Sequence, residues 1–146
     1  MTWMSDQLIS LSTLDKLPDT TLGQDILRYV TLPQVLGQQK DTILYFIGRN
    51  LSRSLHIEVL DDVIYLFNKF KWGHLELVKE KKKHLIFHLM SDEVVTRLEA
   101  PFETDFRLEA GFLAESIAKI TERPAECIET INERLYRIEF KVIFTD

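Results

Sequence analysis

The segment FRLEAGFLAESI, residues 106–117, has the apolar spacing of an amphipathic helix but places a glycine at its centre. Glycine inside a helix costs about 1 kcal/mol relative to alanine, so a structural reason is expected for Gly111. Ala110, Ala114 and Ala118 lie beside it and form a flat shoulder, which lets another backbone approach closely. The favoured occupant of this shoulder is another helix of the same chain. A second subunit or the wall of an apolar pocket is the alternative.

The helix over residues 105–120 has apolar side chains on two sides. Leu108 and Phe112 point away from one broad face, which is expected to rest on a sheet. That face consists of Phe106, Ala110, Leu113, Ile117 and Ile120. Such a helix is expected between a sheet and a further helix. Gly48 marks a second position, in an earlier helix, where a partner could approach.

The remaining elements follow from the change of apolar period along the chain. Four helical pieces are predicted first, over residues 19–30, 33–37, 41–54 and 58–72, the last with an apolar stripe of Val59, Val63, Phe67 and Phe70. Alternating segments then predict two hairpins, with strands over 74–78 and 84–89 and, after the long helix, over 125–131 and 135–144. Residues 91–104 are predicted to be a connection with about one helical turn. The fold class is therefore α+β, with helices packed on a four-stranded antiparallel sheet.

The length of 146 residues is that of one domain. Residues 1–18 carry scattered apolar residues such as Trp3 and end at Pro18, so they are predicted to be an N-terminal arm. Residues 19–146 are predicted to form the single α+β domain.

Composition argues against several classes of protein. The net charge of −5 disfavours a nucleic-acid binder. Cys127 is the single cysteine, which excludes an internal disulfide and a multi-thiolate metal site and fits a cytoplasmic location. The N-terminus does not have the pattern of a secretory signal, and no apolar window reaches the length that membrane insertion requires.

Few residues suggest chemistry. His84 and His88 lie on a predicted strand roughly 13 Å apart, too far to share one metal ion. Arg49 and Arg53 share a helix face and could hold a carboxylate or phosphate, although surface ion pairing is favoured. The run Lys81–Lys83 is expected to be a solvated turn, with anion binding as the alternative, and Cys127 a buried strand residue rather than a nucleophile. We therefore predict no catalytic residue, metal or cofactor, and a protein that is not an enzyme.

Several segments together resemble the YslB family of small Firmicutes proteins, a domain of unknown function. They are LRYVTLPQVLGQ (27–38), IGRNLSR (47–53), FKWGHLELV (70–78) and FRLEAGFLAESI followed by Glu126 and Glu129. The resemblance covers roughly residues 20–144. More widely, the chain is similar to the 4-vinyl reductase domain and to the TRAPP vesicle-tethering subunits. This resemblance implies a TRAPP-like fold that is often dimeric through its helices and in several relatives encloses an apolar cavity.

The resemblance also implies a set of positions for a ligand or a subunit interface. Gly48 and Arg49 match the family's I-G-R element, and the run from Gly111 to Ala114 matches its G-F-L-A element. The predicted ligand-binding or interface residues are Gly48, Arg49, Leu108, Gly111, Phe112 and Ala114. The cysteines of the vinyl-reductase and acylated TRAPP proteins have no counterpart here, so thiol, metal and lipid chemistry do not carry over.

Two functions are favoured by these observations, and an enzyme is a third, less favoured interpretation. The first is a cytosolic, non-catalytic interaction or adaptor protein that acts as a homodimer. The alternative is a sensor or carrier of an apolar small molecule, with a cavity between the helices and the sheet.

Overall fold

The computed structural model describes residues 8–146, so Trp3 and the start of the predicted arm lie outside the described residues. The helices are α1 (Leu11–Asp15), α2 (Leu22–Ile26), α3 (Leu32–Leu36), α4 (Lys40–Arg53), α5 (Leu60–Lys69), α6 (Asp92–Glu99) and α7 (Arg107–Thr121). A π-helical turn, Leu27–Thr31, joins α2 to α3, and a 3₁₀ turn, Gly37–Gln39, joins α3 to α4. The strands are β1 (His74–Glu80), β2 (His84–Met90), β3 (Ala125–Asn132) and β4 (Arg137–Phe144).

The four strands form one antiparallel sheet in the order β1-β2-β4-β3. One face is apolar and buried, with Leu75, Leu85, Phe87, Leu89, Ile138, Phe140 and Val142. The other face carries mainly polar and charged side chains, as alternation along each strand requires. The predicted α+β class with a four-stranded antiparallel sheet is confirmed.

The apolar core lies between the inner face of the sheet and helices α5 and α7. Phe67 of α5, Phe112 of α7 and Phe140 of β4 meet there, and the ring of Phe67 packs edge-on against both of the others. Trp72 completes the cluster, with its ring centroid 5.2 Å from those of both Phe67 and Phe112. This aromatic cluster joins α5, α7 and the inner face of the sheet in the core.

Three local predictions were wrong. The segment 91–104 contains a full helix, α6, because Ser91 caps it by accepting a hydrogen bond from the Val94 amide at 3.3 Å and Val94 is buried. Val59 does not belong to the buried stripe of α5, since it precedes the helix and is exposed. Tyr136 was placed in the last strand but lies in the turn before it, with a φ of 50°.

Among residues 8–146, no helix combines the length and the apolarity that crossing a membrane would require.

Candidate functional site

Helices α4 and α7 run parallel and touch along their whole lengths. Lys40 lies 3.4 Å from the Asp105 carboxylate where the two helices begin. The hydroxyls of Ser52 and Ser116 are 2.8 Å apart further along. At the end, the Lys119 ammonium donates to the carbonyl of Ser52 at 2.7 Å. The pairs keep a nearly constant sequence offset, which is the mark of parallel helices in register.

Two glycines allow the backbones of α4 and α7 to approach each other closely. A Cβ placed on Gly111 would lie 1.9 Å from the Tyr45 carbonyl oxygen, and one placed on Gly48 would lie 2.1 Å from the Leu108 carbonyl oxygen. Both are far inside van der Waals contact, so each glycine meets the other helix's backbone. The shoulder around Gly111 is therefore occupied by α4 of the same chain, as the sequence favoured.

Most of the residues predicted for a ligand or an interface are enclosed within this chain. Phe112 and Ala114 belong to the core and are fully buried, and Gly48 and Gly111 lie inside the α4–α7 contact. Leu108 is partly buried against the same core. Each of these five positions contacts its own chain, and their assignment to an interface or a ligand stays a prediction.

Arg49, the sixth predicted residue, joins α4 to α7 and to the edge strand β3. Its guanidinium donates to Glu115 at 3.0 Å, to the Ala125 carbonyl at 3.0 Å and to Glu126 at 2.8 Å. Arg53 also donates to Glu115, at 3.1 Å. The ion pairing that was favoured for both arginines is thus present.

Tyr45, like Arg49, forms hydrogen bonds with the edge strand β3. Its hydroxyl accepts a hydrogen bond from the Cys127 amide at 3.0 Å and donates one to Glu126. Burial, together with the bond to Glu126, raises the pKa of Tyr45 to about 12. Tyr45 and Arg49 therefore satisfy outward-facing backbone groups of an edge strand, which would otherwise be open to pairing with another chain.

Sequence reasoning missed a buried charge network centred on Glu109 of α7. Glu109 is fully buried and accepts hydrogen bonds from two guanidiniums, those of Arg28 and Arg97. The contacts to Glu109 Oε2 are 2.7 Å from each arginine. Arg97 also donates to the Tyr29 hydroxyl at 3.1 Å and to the Trp72 carbonyl. The network therefore ties three separate parts of the chain to α7: the turn with Arg28 and Tyr29, helix α6 with Arg97, and Trp72 after α5.

The charged groups in this network stabilise one another in their ionised forms. Burial opposes ionisation of Glu109, but the two guanidiniums outweigh it and lower its pKa to about 2. The same carboxylate raises the pKa of Arg28 and Arg97 against the effect of their burial. Asp25 differs, because burial raises its pKa and Arg97 offsets this only in part. Its carboxylate accepts a hydrogen bond from the Thr21 hydroxyl at 3.1 Å.

The π-helical turn explains how two neighbouring residues reach this network. Arg28 and Tyr29 are consecutive, yet both are buried and both contact the start of α7. The Tyr29 hydroxyl donates to the Asp105 carbonyl at 3.0 Å, and Arg28 donates to the same carbonyl at 3.3 Å. Widened turns of this kind are often found at functional sites. The sequence signal was Glu109 itself, a carboxylate three residues after the core residue Phe106 and thus on the buried side of the helix.

The other residues considered for metal binding or catalysis lie outside this charge network. His88 is 3.6 Å from Glu139 on the outer sheet face, and burial raises the pKa of the Cys127 thiol well above its usual value. Within the described part of the chain, no three His, Cys, Asp or Glu side chains are grouped so that they could hold a metal ion.

The side of α4 turned away from α7 is apolar and exposed. We call it the α4 outer face, and it consists of Ile43, Phe46, Ile47 and Asn50. Phe46 is 57% exposed and Ile47 is 43% exposed. The four positions follow the i, i+3, i+4, i+7 spacing of a single helix face. Ile43, at the start of the face, is half-buried, and Asn50, at its other end, is exposed.

Comparison with known proteins assigns the chain to a family. Residues 21–143 match the family described as "Protein of unknown function (DUF2507)", and the chain belongs to this family. It is 30% identical over 133 residues to "Uncharacterized protein YslB" of Bacillus subtilis (strain 168), covering 91% of this chain and 90% of that protein. It is also 27% identical over 106 residues to "Uncharacterized protein MJ1642" of Methanocaldococcus jannaschii, covering 72% of this chain and 64% of that protein. The predicted YslB-like membership is confirmed, and the TRAPP-like likeness stays a prediction.

Proposed function

We propose that this member of a family of unknown function is a non-catalytic, cytoplasmic interaction protein and that it forms a homodimer through the α4 outer face. The observation that carries the proposal is the exposure of Phe46 and Ile47 on a helix whose other side is packed along its whole length. An aromatic and a β-branched residue side by side on such a helix gain apolar contact when a partner covers them.

The composition of the α4 outer face suits a second copy of this chain. In a two-fold interface the same patch meets itself, so a charged residue near the axis would face its own like charge. The α4 outer face contains no charged side chain. Asn50, at its end, offers its amide N–H groups to a partner, while its Oδ1 accepts a hydrogen bond from Arg53 at 2.9 Å.

A single helix face supports only a modest affinity. Stable interfaces bury about 800 Å² on each partner, whereas four residues of one helix supply a fraction of that area. Each apolar side chain that is buried contributes about 1–2 kcal/mol. We therefore expect a dissociation constant in the micromolar range.

Two observations favour an interaction protein over the alternatives. The aromatic cluster of Phe67, Trp72, Phe112 and Phe140 fills part of the core between the helices and the sheet, where a cavity for an apolar ligand was expected. The buried ionisable groups around Glu109 bind one another, an arrangement typical of structural networks.

The proposal is tested by light scattering at protein concentrations well above the expected micromolar dissociation constant. Wild-type protein is expected to have the mass of a dimer, and Phe46→Glu that of a monomer, because the substitution brings two carboxylates together across the axis. Tyr65→Glu is the matched control, since Tyr65 is 59% exposed on α5, away from α4, and should leave the dimer intact. A monomeric wild type, or a dimeric Phe46→Glu protein that is folded by circular dichroism, contradicts the proposal.

Cross-linking gives a second, independent readout. Ile47 lies near the middle of the α4 outer face, so Ile47→Cys should form an intermolecular disulfide on mild oxidation. The native thiol does not interfere because Cys127 is buried. Tyr65→Cys is expected to cross-link poorly under the same conditions, and equal cross-linking of both variants would point to random collision.

A further inference from the structure

The outer face of the sheet carries a row of side chains that alternate between lysine and isoleucine. In the strand register, Ile128 of β3 pairs with Lys141 of β4, Lys141 pairs with Ile86 of β2, and Ile86 pairs with Lys79 of β1. We call these four residues the lysine–isoleucine row. Because adjacent strands are about 4.8 Å apart, the row crosses the sheet over about 14 Å.

The row is open to solvent. Ile128 is 58% exposed, Lys79 and Lys141 are exposed, and Ile86 is half-buried. Ile143 lies next to the row on the same face and is also half-buried, while Val78, beside Lys79, is exposed. A surface with isoleucines set between flexible cations can take both an apolar and an anionic group at neighbouring points.

The turn between β1 and β2 adds further positive charge at this end of the sheet. Lys81, Lys82 and Lys83 are all exposed there. The turn is held in place, because the Phe144 amide donates to the Lys83 carbonyl at 3.0 Å and Arg123 donates to the Lys82 carbonyl at 3.2 Å. A partner therefore meets a lysine cluster whose backbone is already ordered.

These lysines have no ion-pair partner among the described residues, although acids lie nearby. None of Lys79, Lys81, Lys82, Lys83 and Lys141 comes within salt-bridge distance of a described carboxylate. The neighbouring acids have other partners: Glu126 lies 2.8 Å from Arg49, Asp146 lies 2.7 Å from Arg123, and Glu139, two residues before Lys141 on the same face, lies 3.6 Å from His88. The five lysines are thus exposed and without an ion pair among the described residues, in a protein whose net charge is −5.

We propose that the lysine–isoleucine row, with the lysine turn beside it, binds an acidic amphipathic segment of another protein that lies across the strands. Carboxylates of the segment pair with Lys79 and Lys141, and its apolar side chains rest on Ile86 and Ile128. A length of about 14 Å corresponds to between two and three turns of helix, so a short helix is enough to span the row. The site uses the outer sheet face and is separate from the α4 outer face.

The placement of the apolar residues favours a protein partner over a membrane. Membrane-inserting apolar side chains need to reach beyond the surrounding polar ones. Here the turn at the end of the sheet carries lysines, while Ile86 and Ile128 lie within the sheet face. A segment laid across the strands reaches both sets of side chains, whereas a lipid surface touches the turn first.

The test uses a synthetic, fluorescein-labelled helical peptide of four turns, with a leucine stripe flanked by glutamates. Fluorescence anisotropy should show binding that weakens as salt is added. The double variant Lys79→Glu with Lys141→Glu should weaken binding about tenfold or more. The matched control, Lys16→Glu with Lys69→Glu, changes the net charge equally at exposed sites elsewhere and should bind within about twofold of wild type.

The apolar part of the site is tested separately with Ile128→Ser. This variant should weaken binding several-fold while keeping the salt dependence, because it removes contact but no charge. Absence of peptide binding, or equal weakening by both double variants, would overturn the proposal. It would also be overturned if Ile128→Ser bound normally, or if phosphatidylserine-containing vesicles or single-stranded RNA bound through Lys79 and Lys141 more tightly than the peptide.

Discussion

The contact between Gly111 and Tyr45 makes a specific prediction about the substitution Gly111→Ala. The new Cβ would lie 1.9 Å from the Tyr45 carbonyl oxygen and 2.8 Å from its carbonyl carbon. A comfortable carbon-to-oxygen distance is about 3.3 Å, so α4 and α7 must separate locally by more than 1 Å. The obstructing atoms belong to a helical backbone and cannot rotate aside.

The expected cost follows from two opposing effects. Overpacking of a tight contact costs about 1–3 kcal/mol, and occasionally more. Alanine recovers about 1 kcal/mol through its higher helix propensity. Because the helices touch along their whole lengths, separation at Gly111 also loosens contacts on both sides of it. We therefore expect Gly111→Ala to lower the free energy of unfolding by about 2 kcal/mol.

Urea unfolding followed by far-ultraviolet circular dichroism measures this change. Gly23→Ala is the matched control, because a Cβ on Gly23 meets no atom within 4 Å and the glycine lies in helix α2. That variant should be as stable as wild type or more stable by up to about 1 kcal/mol. A Gly111→Ala protein as stable as wild type would refute the close helix contact.

The remaining predictions concern the buried charge network. Glu109→Gln should destabilise the protein by about 3 kcal/mol or more in urea unfolding, because Arg28 and Arg97 lose their counter-charge. Replacing Glu109, Arg28 and Arg97 together by apolar residues should restore most of the lost stability. The Glu109 pKa of about 2 lies below its ordinary value of 4.5, so the ionised carboxylate stabilises the folded protein fully above pH 4.5. This stabilisation is lost as the pH falls towards 2. The urea midpoints of Glu109→Gln and wild type should therefore converge on acidification. Asp25 has the opposite effect on the pH dependence of stability. Because its pKa is raised, wild-type stability falls as the pH rises through that pKa, so Asp25→Asn should gain stability relative to wild type between pH 4 and pH 7. A Glu109→Gln cost that does not vary with pH, or an Asp25→Asn difference that shrinks as the pH rises, would contradict these assignments.

The local pattern of apolar residues was enough to predict most helices and strands and the class of fold. Alternation over β4 and the helical spacing of α7 are properties of neighbouring residues, so they were readable along the chain. The exceptions were the five-residue helix α1, inside the predicted arm, and α6, whose eight residues after the Ser91 cap were too short and too charged to stand out. The ends of elements were also misplaced, at Val59 and Tyr136, because turn geometry depends on the elements that the turn joins.

The sequence by itself determined that Gly111 needed a close neighbour, that the chain belongs to its family and that the fold is α+β. Only the tertiary structure decided what the neighbour is and which charges are buried. Gly48 and Gly111 are more than 60 residues apart in the chain, and their fit depends on the parallel register of α4 and α7. The network around Glu109 likewise joins residues from Arg28 to Asp105. Helical periodicity is a property of one segment, whereas close backbone contact and charge pairing depend on distances between segments that are set when the chain folds.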